Sequence, residues 1–170
     1  MAPDPPIPRS EPKASGESRN SPMPDLQFAP LRGFWDGAAA GELRIPRCGA
    51  CGAWVWYPRP RCPACDGDAL AWIATSGRGT LFSFAVVRRA LWAPYAPFVP
   101  YATGLVALAE DPTVRLVTRF VDCDPDALRV DQPVRAVFRP LAFDGDARTC
   151  AAPFFTPSDA CAPSPTRDSP

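Results

Sequence analysis

From about Pro30 onward the apolar residues Leu31, Phe34, Trp35, Ala38, Ala39 and Leu43 recur at three-to-four-residue spacing, the period of one helix face. The spacing predicts a short amphipathic helix over roughly 31–41, ended by Gly41, whose missing Cβ suits a left-handed C-terminal position. So short a helix needs a surface to cover its apolar side: either the chain's own core or a partner. Farther on, four segments have strand character. Residues 80–88 (TLFSFAVVR), 102–109 (ATGLVALA), 114–121 (VRLVTRFV) and 134–139 (VRAVFR) are rich in β-branched and aromatic residues, and the last two alternate polar with apolar. Gly77 and Gly79 precede the first, Glu110-Asp111-Pro112 turns the chain after the second, and Asp124-Pro125-Asp126 opens a helical turn before the fourth. A fifth strand fits 149–155. Five short strands with a helical turn between the third and fourth predict a mainly β fold: a five-stranded OB-fold barrel, closed so that no long edge is exposed.

Outside this stretch the pattern fades. Of the 24 prolines, eight lie in residues 1–30 and five in 151–170, where Ser, Asp and Arg also accumulate. Such segments bury too little apolar surface to offset ordering entropy, so 1–29 reads as a disordered leader and 158–170 as a disordered tail. Between them the chain divides into a helical segment (30–45), a cysteine-rich ribbon (46–76) and the barrel (77–157). The opening residues lack the basic and apolar regions of a secretion signal. No run approaches the ~20 apolar residues of a membrane span. The expectation is a cytoplasmic protein with no membrane contact.

The cysteine-rich segment changes the picture most. Cys48-Gly-Ala-Cys51 and Cys62-Pro-Ala-Cys65 are two C-x-x-C knuckles; facing each other, they offer the tetrahedral S4 set that Zn²⁺ favours in closed structural sites. Ten residues separate the knuckles, so the intervening segment is expected to form a compact hairpin whose Trp54, Trp56 and Tyr57 cover the metal. This is a zinc ribbon. Iron can occupy the same cage, but nothing else in the chain points to electron transfer, so zinc is the expected ion. Disulfides are the poorer reading for a cytoplasmic chain. Cys123 and Cys150 read as small buried fillers and Cys161 as a thiol of the tail.

Charge then narrows the partners. The chain has 18 basic and 18 acidic residues. Within 31–150 lie 14 arginines and 12 acids, and four thiolates with one Zn²⁺ add −2, so this part sums to zero. Nucleic-acid binding through phosphates wants a clear basic excess, so that reading is weakened. A local patch remains open: Arg44, Arg47, Arg59 and Arg61 flank the ribbon, and Arg115 and Arg119 share one face of their strand. They are either a solvated surface or a site for a phosphorylated ligand. There is no histidine, which removes the usual general base. With the paired cysteines committed to metal, no nucleophile–base pair can be assigned and no catalytic residue is named.

One loop stands out. Residues 89–101 hold Leu91, Trp92, Tyr95, Phe98 and Tyr101 among three prolines. A surface loop is usually polar; this one either closes the barrel mouth or covers an acyl chain or a partner protein.

Taken together, Phe34-Trp35-Asp36, Gly41-Glu42-Leu43, the two knuckles, Gly77-Arg78-Gly79-Thr80, Pro100-Tyr101 and Val121-Asp122-Cys123-Asp124-Pro125 resemble the OB-fold proteins with an N-terminal rubredoxin-like zinc ribbon. That acyl-CoA-associated family was long labelled a domain of unknown function. The resemblance covers about residues 30–157. It implies a non-catalytic accessory subunit that docks on a thiolase-like dimer and helps to shape the channel for a CoA ester; family partners include thiolases, acyltransferases and steroid side-chain aldolases. Phe34, Trp35, Trp92, Tyr95, Phe98 and Tyr101 are the candidate contacts to partner or acyl-CoA. Two departures stand out: Thr156 sits where the family often has arginine, and Asp66 follows the second knuckle in place of glycine. The competing readings are a partner domain of an acyl-CoA hydratase and a nucleic-acid-binding ribbon–barrel protein.

Overall fold

The computed structural model describes residues 23–143 and 147–158. The expectations for the leader and tail lie outside the described residues, except for 23–29 and 158. Here a turn is closed by the Gln27 N–H on the Asp25 carboxylate.

The expected helix is present as α1 (Arg32–Ala39), entered through a 3-10 turn at Ala29–Leu31. It ends as the sequence predicts. Gly41 has φ +74°, the Glu42 N–H donates to the Gly37 carbonyl, and the Gly41 N–H donates to that of Ala38. These bonds satisfy two of the carbonyls that a helix end leaves open. Its apolar face turns inward on the chain itself: Gly37 and Ala38 are buried, and α1 packs on strands of both the ribbon and the barrel. Gly33 permits the closest approach, since a Cβ there would lie 2.4 Å from the Trp72 ring.

The ribbon sheet has two antiparallel strands, β1 (Arg44–Cys48) and β2 (Leu70–Ala74), in register from Arg44↔Ala74 to Cys48↔Leu70. The compact hairpin expected between the knuckles does not form. Residues 53–61 run as irregular chain, held to β1 by an isolated Arg47↔Trp54 bridge. Pairing instead joins the residues before the first knuckle to those after the second, so both knuckles hang from one end of a two-stranded ribbon.

Five strands close the barrel: β3 (Arg78–Val87), β4 (Tyr101–Leu108), β5 (Arg115–Phe120), β6 (Pro133–Leu141) and β7 (Cys150–Pro157). The order is β3-β4-β5-β7-β6, and β6 returns to β3. All neighbours are antiparallel except β5 and β7, which meet at Phe120↔Phe155. The turn expected between the third and fourth barrel strands is a 3-10 turn at Pro125–Ala127, capped by the Asp124 carboxylate accepting from the Asp126 N–H. Inward-facing residues of the strands fill the interior: Leu81, Val106, Val134 and Phe155 are at most 1% exposed. Gly104 is required where β3 bulges past β4, because a Cβ there would sit 2.0 Å from the Ser83 carbonyl oxygen.

Ribbon and barrel share their apolar interior. Leu43 and Ile45, on the ribbon side, belong to the same buried cluster as Leu81, Val106 and Phe155. Phe34, Trp54 and Trp56 pack against that cluster. The junction is further tied by Thr75, whose N–H and Oγ1 both donate to the Leu43 carbonyl, and by the Ser76 N–H donating to Glu110 Oε1.

Candidate metal centre and aromatic surfaces

Each C-x-x-C segment folds by the same backbone contacts. The Gly52 N–H donates to the Cys48 carbonyl and the Cys48 N–H to that of Ala53; the Asp66 N–H donates to the Cys62 carbonyl and the Cys62 N–H to that of Gly67. Both knuckles then need a left-handed residue after the second cysteine: Gly52 (φ +76°) and Asp66 (φ +60°). The departure at Asp66 is thus accommodated in the backbone, and its carboxylate accepts from Arg61 at 3.0 Å.

The result is a cluster in which all four Sγ atoms lie within 4.8 Å of one another, with Cys48–Cys65 at 3.7 Å and Cys51–Cys62 at 3.6 Å. A tetrahedral ZnS4 unit with 2.3 Å bonds has edges of about 3.8 Å. Charge makes the same point. The Cys51 backbone N–H is the main influence holding the Cys48 thiol down to about 7. At Cys65 the Gly67 N–H pulls downward, but the sulfurs of Cys51 and Cys48 outweigh it and push that thiol up to about 12. Four sulfurs so close cannot all ionise without a cation among them, and a soft divalent ion meets that requirement. The donor set fits Zn²⁺.

The apolar cover of the cluster is not the expected one. Val55, Ala53 and Leu70 pack around buried Cys48 and Cys62. Trp54 and Trp56 turn the other way, onto the core shared with the barrel, and Tyr57 stacks on Trp56 at 4.8 Å while 58% exposed. Alternation explains this: along 53–56 one set of side chains faces sulfur and the other faces the barrel.

The six aromatic candidates fall into two groups. Phe34 and Trp35 meet edge to face at 5.1 Å, and Phe34 continues to Trp56 at 5.4 Å. The indole nitrogens of Trp35 and Trp56 are buried without an acceptor among the described residues. Trp92, Tyr95, Phe98 and Tyr101 form the second group, with Tyr95 central at 5.9–6.3 Å from the other three. No ring contact joins the groups among the described residues. The aromatic loop, with a 3-10 turn at Ala93–Phe98, folds onto the barrel: Tyr95 and Phe98 touch Phe143 at 5.4 and 6.0 Å. Leu91 and Trp92 remain outside, 99% and 37% exposed. Sequence reasoning did not single out Phe143, whose role depends on the loop coming to rest on it.

Thr156 is buried within β7 and 2% exposed, so no phosphate contact comes from this position. Among the described residues no helix is long and apolar enough to cross a membrane.

Residues 35–71 match the family described as ChsH2, rubredoxin-like zinc ribbon domain, and residues 72–139 match ChsH2, C-terminal OB-fold domain. A DUF35 domain-containing scaffold protein of Methanothermobacter thermautotrophicus is 30% identical over 62% of this chain and 77% of its own length. The chain belongs to this ChsH2/DUF35 family. Another relative is the 3-oxo-4,17-pregnadiene-20-carboxyl-CoA hydratase alpha subunit of Mycobacterium tuberculosis, 37% identical over 62% of this chain. The chain spans about a third of the length of that hydratase subunit, 32%. Among solved structures, the Ltp2-ChsH2(DUF35) aldolase aligns with a TM-score of 0.66 and 27% identity, covering 79% of this chain and 98% of that one. The ribbon-then-barrel order read from motifs is therefore the order of the ChsH2/DUF35 family.

Proposed function

We propose that this chain is a non-catalytic accessory subunit of a thiolase-like acyl-CoA enzyme, whether aldolase, thiolase or acyltransferase. It docks on the catalytic partner and helps to shape the path of the CoA ester. Cys48, Cys51, Cys62 and Cys65 hold a structural Zn²⁺ that keeps the ribbon folded; the closed S4 set leaves no open position for catalysis. Ribbon (46–76) and barrel (77–157) act as one body behind the helical segment (30–45). Phe34 spends its ring on the shared core, so contact with partner or CoA ester rests mainly with Trp92, Tyr95, Phe98 and Tyr101.

The observation that carries this reading is the alignment with the Ltp2-ChsH2(DUF35) aldolase over 98% of that chain, ribbon and barrel together. The absence of histidine from the chain agrees with it. Co-expression with a thiolase-like protein of the same organism, followed by size-exclusion chromatography, tests it. Co-elution, with partner activity depending on the chain, is expected; a chain that elutes alone and whose omission leaves that activity unchanged overturns it. A second reading, partner domain of an acyl-CoA hydratase, is favoured by the 37% identity to the hydratase alpha subunit. Co-elution with a hydratase-type partner instead would select it.

A further inference from the structure

The outer face of the barrel between β3 and β5 carries an unusual arrangement. Arg115, Val117 and Arg119 project from β5 on the same side, away from buried Leu116, Thr118 and Phe120. The Arg115 guanidinium lies 3.7 Å from the Phe82 ring centroid, and that of Arg119 lies 4.4 Å from Phe98 and 4.9 Å from Phe154. Among the described residues neither cation has a carboxylate in ion-pair range, although Arg88, Arg139, Arg61 and Arg44 all do. Arg119 is half-buried, and desolvation lowers its pKa. A guanidinium taken part-way out of water with only aromatic faces for company is short of an anion.

The surface between the two cations is apolar. Val117 is 65% exposed and Phe82 41%, and Leu105 pairs with Val117 across the sheet. Beyond Arg119, ring contacts run through Phe98 and Tyr95 to Trp92, next to the fully exposed Leu91. One stripe thus runs from Phe82 to Leu91 with two unanswered positive charges along it. Aromatics, arginine and desolvated apolar groups are the composition of a protein–protein contact core. A phosphate ligand fits less well. Four strand steps set the Arg115 and Arg119 Cα atoms about 13 Å apart, their guanidiniums lie over different rings, Phe82 for one and Phe98 and Phe154 for the other, and such a ligand would leave Val117 and Phe82 wet.

Resting on the accessory-subunit reading above, we infer that this face is where the catalytic partner docks, and that the partner presents an acidic–apolar–acidic strip. Its two carboxylates pair with Arg115 and Arg119, its apolar residue covers Val117, and Leu91 with Trp92 enters an adjacent apolar recess.

The test uses the full zinc-loaded chain and the same thiolase-like protein, with affinity measured by calorimetry. Arg115→Glu, Val117→Asp and Arg119→Glu are each expected to weaken association by about tenfold or more, as desolvated interface anchors do. Wild-type association should also weaken as salt rises, and Arg135→Glu, at an exposed position of β6, should bind like wild type. Because Arg115 and Val117 are exposed, their variants stay folded even if Arg119→Glu does not. If the wild-type chain binds and these variants bind equally well, this inference fails while the accessory reading stands; if the wild-type chain does not bind, both fail. Saturable binding of adenosine 3′,5′-bisphosphate to the chain alone, abolished by Arg119→Glu with partner affinity unchanged, would assign the face to phosphate and overturn the inference. Self-association lost in Val117→Asp, with partner affinity unchanged, would overturn it in favour of a second copy.

Discussion

Around the four sulfurs the buried cluster consists of Cys48, Val55 and Cys62, with Ala53 and Leu70 against them. The barrel instead closes five strands over Leu81, Ala102, Val106, Val134 and Phe155, all at most 1% exposed. Each of its larger aliphatic or aromatic side chains contributes roughly 1.5–3 kcal/mol on burial. The ribbon has too few such groups to offset the entropy of ordering the irregular segment 53–61 and its two knuckles. Coordination must supply the difference, and in ribbons of this kind metal binding and folding are one event. The two halves therefore depend on different chemistry, although Leu43, Ile45 and Trp56 join them through a common interior.

The largest expected effect separates the halves. Chelation, or Cys62→Ser, removes a contribution on the order of 10 kcal/mol. Hydrogen exchange should then show loss of protection at the amides of Cys48, Gly52, Val55, Cys62 and Asp66, with the β4 and β5 amides still protected. Loss of barrel protection in the same experiment would mean that the two halves fold as a single metal-dependent unit. Acid should act in the same direction: each thiolate must take up a proton to leave the metal, so metal loss rises as pH falls, and a chromophoric zinc indicator reads it directly.

Phe155→Ala reverses the test. It removes a ring that is 1% exposed and is expected to cost about 3–5 kcal/mol. Denaturant unfolding followed at the barrel should shift by that amount while metal content stays at one ion per chain. Metal loss in parallel would show that the shared interior couples the halves more strongly than the thiolates isolate them.

The smallest effect refines the ribbon alone. Asp66→Gly relieves a left-handed residue at φ +60° and gives up only the exposed Arg61 pair. A gain of about 0.5–1 kcal/mol is expected, read as slower metal transfer to a competing chelator. Faster transfer would show that Arg61 and Asp66 brace the knuckle more than the backbone strains it.

Features carried by near neighbours in the chain were legible. The helix came from the spacing of Leu31, Phe34, Ala38 and its stop from Gly41; observed α1 is Arg32–Ala39. Four barrel strands came from runs of β-branched and aromatic residues and a fifth was fitted at 149–155, and each begins within two residues of its expected start. The ribbon strands were not legible, because β1 is five residues containing Pro46 and its partner Leu70–Ala74 lies beyond both knuckles. The expected hairpin and the tryptophan cover over sulfur failed for the same reason. With β1 paired to β2, the side chains of 53–56 alternate between sulfur and barrel, and the larger apolar surface takes the indoles.

The sequence alone determined the donor set, since i, i+3 cysteines meet on one knuckle whatever surrounds them, and it determined the barrel strands, since runs of β-branched and aromatic residues between turn signals suit a pleated surface whatever pairs with it. Only the tertiary structure decided that Trp54 and Trp56 belong to the barrel, that the aromatic loop rests on Phe143, and that Arg119 stands over Phe98 and Phe154 with no counter-ion among the described residues. Those outcomes depend on which surfaces remain uncovered after strands far apart in the chain have paired, and local periodicity carries no record of that.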